Sequence, residues 1–313
     1  MFTNIFIFAA ALYLVIKGST MATKYAARLA ESFHLSKYIV GFIIVAIVSI
    51  LPEAFVAVNS SIKGIPSFGL GVLFGTSVAD LTLIFAIIVL HAGRSLKVES
   101  TILKNQVAYP FLLLLPLILG LDGHFSRLEG AALVVAGAVF YYVALKRGID
   151  RRPSLGNGNG YYASFLLLLV SMGVLLTGAH FTVASATALA RSAGVSPILI
   201  GMLVVALGMT MPELLFSLQS VKKRDDSLAI GDLLGTVLAD ATIVVGILAL
   251  VNPFSFPQKI IYITGSFMVA ASFVLFRFMR SGRALAKREA FALLMFWLVF
   301  VAVEFIANGY SVY

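Results

Sequence analysis

The apolar positions of this chain fall into ten long runs, at 4–16 (running on toward 30), 38–62, 68–91, 107–121, 127–146, 161–190, 195–220, 227–251, 259–277 and 289–307. A membrane-crossing helix needs about 20 predominantly apolar residues, and most of the runs reach that length. The pattern predicts an all-α membrane protein of ten transmembrane helices. No stretch outside the runs is long enough to bury a core of its own. The first run lacks the charged leader of a signal peptide and pairs with a later run in the repeat described below, so it is expected to persist as a helix. Between the fifth and sixth runs, Gly, Asn and Pro crowd into Lys146–Gly160. That content predicts a flexible cytoplasmic linker at 147–160 between a first half, 1–146, and a second, 161–313.

Composition agrees with the pattern. Of the 313 residues 60% are hydrophobic and 12% charged, and the mean hydropathy is +1.02, beyond what a soluble domain of this length needs. Cysteine is absent, which excludes disulfides and thiolate metal sites. The net charge of +9 could suggest nucleic acid, but its distribution argues against that. Nineteen of the 23 lysines and arginines lie in loops after odd-numbered runs; only Lys63, Arg127, Arg191 and Lys259 lie on the other side. Positive charge marks the cytoplasmic face, so both termini are expected outside the cytoplasm, in a multi-pass protein of the cell (inner) membrane.

The chain also repeats itself at an offset of 160. Residues 41–80 and 201–240 align without gaps and agree at fourteen of forty positions, among them Gly41, Pro52, Glu53, Gly71, Gly75, Thr76 and Asp80. The match extends back to Gly18 and Gly178. Runs 1–5 and 6–10 are therefore related. Because five is odd, the second half must enter the membrane from the opposite side, giving two inverted-topology five-helix repeats.

Chemistry concentrates in the repeated stretches. Glu53, Asp80, Glu213 and Asp240 fall near the middle of apolar runs, where each acid costs about 2.5–3.5 kcal/mol. No basic residue lies at similar depth to neutralise them. Pro52 and Pro212 precede the two glutamates; a proline removes an N–H donor and frees carbonyls one turn earlier, near Val48–Ser49 and Gly208–Met209. Thr76 and Asp80, like Thr236 and Asp240, are four apart and share a helix face. Carboxylates, hydroxyls and carbonyls without nitrogen or sulfur donors describe a hard-cation site, suited to Ca²⁺ over Zn²⁺ or Cu²⁺. His180 is expected at an apolar helix end, His34, His91 and His124 at loop edges, and Glu304 at the membrane interface. Asp232 is expected in a first helical turn, where attraction of ions near the cytoplasmic mouth and accommodation by the helix dipole explain it equally.

Both motifs, Leu51-Pro52-Glu53 with Gly71 to Asp80 and Met211-Pro212-Glu213 with Gly231 to Asp240, resemble the alpha-repeats of the calcium/cation antiporter superfamily, particularly its prokaryotic sodium/calcium exchangers. The family pattern is Gly-Thr-Ser-x-Pro-Glu followed by Gly-Asn-x-x-Gly-Ser-x-x-x-Asn or Asp. The resemblance covers the whole chain. It implies a secondary antiporter, not an enzyme, that exports Ca²⁺ in exchange for Na⁺ by alternating access, with runs 1 and 6 as a sliding gate. It implies cation ligands at Glu53, Glu213, Asp80, Asp240, Ser49, Thr76, Thr210 and Thr236, with main-chain oxygens of Ala46, Ser49, Ala206 and Met209. No resident cofactor and no obligate protein partner is implied; the partners are the lipid bilayer, Ca²⁺ and monovalent cations.

Two departures bear on the counter-ion. Ile50 and Met209 stand where the family has hydroxyls that bind sodium, and Asp80 stands where exchangers often have Asn. Four neighbouring acids cannot all stay ionised when empty, so H⁺/Ca²⁺ exchange is the rival to Na⁺/Ca²⁺ exchange. Against it, proton/calcium exchangers resemble Gly-Asn-x-x-Glu at the second motif, and this chain lacks that Glu. An intramembrane aspartyl protease using Asp80 and Asp240 would leave both Pro-Glu motifs unexplained, and a channel would not need two broken helices.

Overall fold

Wherever the structure describes an expected span, it is helical. The computed structural model describes residues 2–31, 37–98, 108–148, 161–194, 205–281 and 284–308. Most of the expected linker (149–160), His34 and the start of the seventh run (195–204) lie outside them.

In the first half, α1 (Phe2–Glu31) is followed by α2 (37–49), α3 (Leu51–Ile62), α4 (Pro66–Ala92), β1 (Leu96–Lys97), α5 (Tyr109–Leu119), β2 (His124–Phe125) and α6 (Arg127–Gly148). The second half repeats the order: α7 (Tyr161–Ala193), α8 (Ala206–Met209), α9 (Met211–Lys222), α10 (Asp226–Val251), β3 (Phe254–Ser255), α11 (Ile260–Arg280), β4 (Ala284–Leu285) and α12 (Lys287–Asn308). Among the described residues six helices are long and apolar enough to cross a membrane, and α2 with α3 makes a seventh, bent by 40° at its break. This is a multi-pass membrane protein.

Burial divides the helices into two classes. The apolar windows of α4 and α10 are 89% and 78% buried within the protein, whereas those of α6 and α12 are only 22% buried. A helix apolar all round and enclosed is a central one, and a helix apolar but open faces lipid. So α4 and α10, which carry the two Thr–Asp pairs, form the centre.

Close backbone contacts orient the neighbours. A side chain at Gly18 of α1 would meet the Leu175 nitrogen at 2.9 Å, and one at Gly178 of α7 would meet the Val15 nitrogen at 2.8 Å. Number rises along one helix as it falls along the other, so α1 and α7 run antiparallel, and only glycine fits where they touch. By contrast Gly231 of α10 abuts Tyr38, and Gly235 abuts Phe42 and Ala46; α2 and α10 run parallel.

Two small antiparallel ladders tie the halves together. Leu96 pairs with Leu285 and Lys97 with Ala284, while His124 pairs with Ser255 and Phe125 with Phe254. Each ladder takes one strand from each half. Beside the first, Arg94 donates two hydrogen bonds of 2.7 Å to the two carboxylate oxygens of Asp226, and the Lys97 amide donates a third of 2.9 Å. The loop after α4 is thereby clamped to the start of α10.

Candidate functional site

The prolines act where the sequence places them. Pro52 is the second residue of α3, and Ile50 separates α3 from α2, its amide still reaching the Ala46 carbonyl at 3.0 Å. The second half does the same: Thr210 separates α8 from α9, and its amide bonds to Ala206 O at 3.0 Å. Glu53 and Glu213 each occupy the third position of the helix after the break, where the positive end of the helix dipole favours a carboxylate. Ala46 O and Ala206 O each hold one helical hydrogen bond, so each would offer a cation its second lone pair.

The facing helices are irregular at the matching place. In α4 the backbone widens into a π-helical turn at Asp80–Ile84, and in α10 at Asp240–Val244. Such turns accompany functional sites often enough to be informative. Here each one begins on the aspartate. Two hydroxyls of the first half, Tyr109 and Tyr141, donate to Leu234 O at 2.7 Å and Gly235 O at 2.6 Å, fixing the α10 backbone beside Thr236.

The acids are buried and largely unpaired. Glu53 and Asp80 are 1% exposed, and Glu213, Asp232 and Asp240 are wholly buried. Both oxygens of Glu53, Asp80 and Glu213 make no hydrogen bond within the protein, nor do Oδ2 of Asp232 and Oδ1 of Asp240. Thr236 Oγ1 and Ser217 Oγ are likewise buried and unbonded. Buried polar groups are otherwise almost always satisfied, and oxygens alone left open describe a cradle for hard cations. Among the described residues no three acidic or imidazole side chains converge tightly enough to hold a metal by themselves. A bound ion would therefore draw on hydroxyl and main-chain oxygens as well.

One contact joins the halves at the centre. Thr76 Oγ1 of α4 donates to Leu73 O at 3.0 Å and lies 3.3 Å from Oδ2 of Asp240 on α10. The reciprocal pair, Thr236 and Asp80, is not hydrogen-bonded, so the site is asymmetric. Thr210 Oγ1 is engaged locally with Leu207 O at 3.1 Å, and Ser49 Oγ lies 3.4 Å from Oδ1 of Asp232. Met209 is enclosed in a hydrophobic cluster with Val72, so only its main-chain oxygen suits a cation.

Two acids are not where the sequence suggests. Asp232 is the seventh residue of α10, almost two turns from its start at Asp226 and not in its first turn. Its position four before Thr236 and eight before Asp240 places all three on one face, and that spacing is the signal in the sequence. Glu304 is fully buried rather than interfacial, and accepts a short hydrogen bond from the Thr264 hydroxyl. Of the histidines, His91 and His180 are exposed and His124 partly so.

Enclosed acids on broken and bulged helices, in two matching halves of a membrane protein, are features of repeat-built ion transporters. Comparison with known proteins agrees. The family model for the sodium/calcium exchanger protein matches residues 3–146 and 163–306, and this chain belongs to that family. An uncharacterized membrane protein of Methanocaldococcus jannaschii is 26% identical over 236 residues, covering 74% of this chain and 77% of that protein. The sodium/calcium exchanger MaX1 of Methanosarcina acetivorans is 22% identical over 351 residues, covering 96% and 98%. Among solved structures, the sodium-calcium exchanger NCX_Mj soaked with Na⁺ and Sr²⁺ superimposes with a TM-score of 0.74 at 22% identity, covering 96% of this chain and 97% of that one.

Proposed function

We propose that this chain is an antiporter that exports Ca²⁺ across the cell (inner) membrane in exchange for Na⁺ by alternating access. The observation that carries this is the set of enclosed carboxylates without hydrogen-bond partners, at matching positions of both halves. Glu53 and Glu213 hold Ca²⁺ between them. Asp80 and Asp240, with the hydroxyls of Ser49, Thr76, Thr210 and Thr236, hold the counter-ion. Main-chain oxygens of Ala46, Ser49, Ala206 and Met209 complete the shells.

The architecture we infer is ten spans in two inverted five-helix repeats, 1–146 and 161–313, joined by a linker at 147–160 and centred on motifs 41–80 and 201–240. Two observations support inversion. The repeat-equivalent helices α1 and α7 run antiparallel. The repeat-equivalent strands β1 and β3 lie in different ladders, as they must if one is on each face. The positive charges then place both termini outside the cytoplasm.

Proton coupling is the second reading. Ile50 and Met209, 6% and 0% exposed, line the breaks with hydrocarbon where sodium would need oxygen. One experiment separates the readings: ⁴⁵Ca²⁺ uptake into proteoliposomes under a sodium gradient or a pH gradient alone. Uptake driven by sodium supports the first, and uptake driven by pH the second. Uptake indifferent to both would overturn exchange altogether.

A further inference from the structure

At one contact beside the central acids the two halves differ in polarity, and both partners of the contact differ together. At one contact between the halves Ser49, the last residue of α2, faces Asp232 of α10 across 3.4 Å. The positions 160 residues away are Met209, the last residue of α8, and Val72 of α4. Both are fully buried and belong to one hydrophobic cluster with Val15, Val183 and Val205. A hydroxyl and a carboxylate at one contact between the halves thus stand where a thioether and an isopropyl group stand at its repeat-related counterpart. Under inverted symmetry the two places lie on opposite sides of the central acids.

The polar place is built rather than incidental. Asp232 is wholly enclosed, Ser49 is 1% exposed, and Asp232 Oδ2 makes no hydrogen bond. One turn along the same face Thr236 Oγ1 is also unbonded, and a further turn on, so is Asp240 Oδ1. At 1.5 Å per residue the three oxygens form a column about 12 Å long, leading from near the N-terminal end of α10 to the central site. The flank is sealed by backbone: a side chain at Gly231 would meet Tyr38 O at 2.6 Å, and one at Gly41 would meet the Asp232 nitrogen at 3.0 Å. Lipid has no entry there, and the nearest hydroxyl satisfies only one oxygen of the acid.

We propose that Asp232, with the Ser49 hydroxyl it shares with the central site, forms an accessory site for a hard cation passing between the central site and the membrane face at the N-terminal end of α10. Met209 and Val72 make the corresponding place on the other side dry. The proposal rests on the reading of Glu53, Glu213, Asp80 and Asp240 as the exchange site. One carboxylate and one hydroxyl are few ligands for Ca²⁺, which should therefore bind there weakly, at about 1 mM, like the looser oxygen sites.

Two measurements test it, one of them independent of transport. Purified Glu213→Gln in detergent, examined by equilibrium dialysis with ⁴⁵Ca²⁺, should keep one weak site that Asp232→Asn removes. Asparagine still accepts the Ser49 hydrogen bond, and an unchanged melting temperature would verify folding. No residual site in Glu213→Gln, or one that ignores Asp232→Asn, overturns the proposal. Wild-type affinity in Glu213→Gln would instead sink the reading of the central site, while Asp232→Asn would still decide the accessory one. In proteoliposomes of known orientation, Asp232→Asn alone should raise the KM for Ca²⁺ about tenfold at the α10 N-terminal face, as loss of one nearby charge implies. The opposite face should change less than twofold. Equal changes at both faces, or a fall in maximal rate alone, would also overturn it.

Discussion

Replacing Glu213 by Gln should make the cation-free protein no less stable while abolishing its stabilisation by Ca²⁺. Glu213 is fully buried, and neither carboxylate oxygen has a partner. A charge in that position costs about 3 kcal/mol in the absence of an ion. Glutamine removes the charge at nearly constant volume but leaves a buried amide, at a cost of about 1–3 kcal/mol. The two terms nearly cancel, so the cation-free melting temperature should be unchanged or slightly raised. With Ca²⁺ at a hundred times its dissociation constant, wild type gains about 2.7 kcal/mol. At about 2 °C per kcal/mol for a chain of this size, that is a rise of about 5 °C. Thermal unfolding of the detergent-purified protein, with and without Ca²⁺, reads both quantities. A Gln variant that melts several degrees lower without Ca²⁺ would show that Glu213 holds the fold together. A variant with the full Ca²⁺ shift would show that it does not bind the ion. Either result refutes the reasoning.

Three other perturbations probe the frame around the site. Asp226→Asn should remove the charge from a partly exposed clamp of three hydrogen bonds to Arg94 and Lys97 and cost about 1–2 kcal/mol. A double-mutant cycle with Arg94→Ala should show coupling between the two, and additive losses would mean the pair is ornamental. Gly178→Leu should force α1 and α7 apart, since even a Cβ there lies 2.8 Å from the Val15 nitrogen. Exchange should fall more than tenfold, whereas Gly173→Leu, with nothing within 4 Å, should transport normally. Because the chain has no cysteine, single substitutions report topology directly. Lys63→Cys and Lys223→Cys should react with a membrane-impermeant maleimide from opposite faces, and labelling from one face would exclude inverted halves.

How much of this was legible in the sequence depends on what each feature needs. The repeat needed only identity at a fixed offset, and Pro52 with Glu53 could be recognised because proline and a mid-membrane acid are costly wherever they occur. Depth was harder. Glu304 looked interfacial because it stands near the end of an apolar run, but its surroundings are set by Thr264, forty residues away. Asp232 stands near the start of its apolar run and reads as a helix-end acid, but it is the seventh residue of α10, almost two turns in, and is completely buried. The π-helical turns at Asp80 and Asp240 leave no sequence signature, since any residue can supply an i→i+5 bond. The contrast between Ser49–Asp232 and Met209–Val72 could not be read at all without contacts, because its members lie 183 and 137 positions apart. Each substitution taken singly looks like a lost family residue. Paired across the interface, they look like one choice made differently on the two sides of the membrane: oxygen lines one approach to the acids and hydrocarbon the other. An exchanger with symmetric approaches would load both faces alike. This one, on that reasoning, should bind its incoming cation in two steps from one face and in one step from the other.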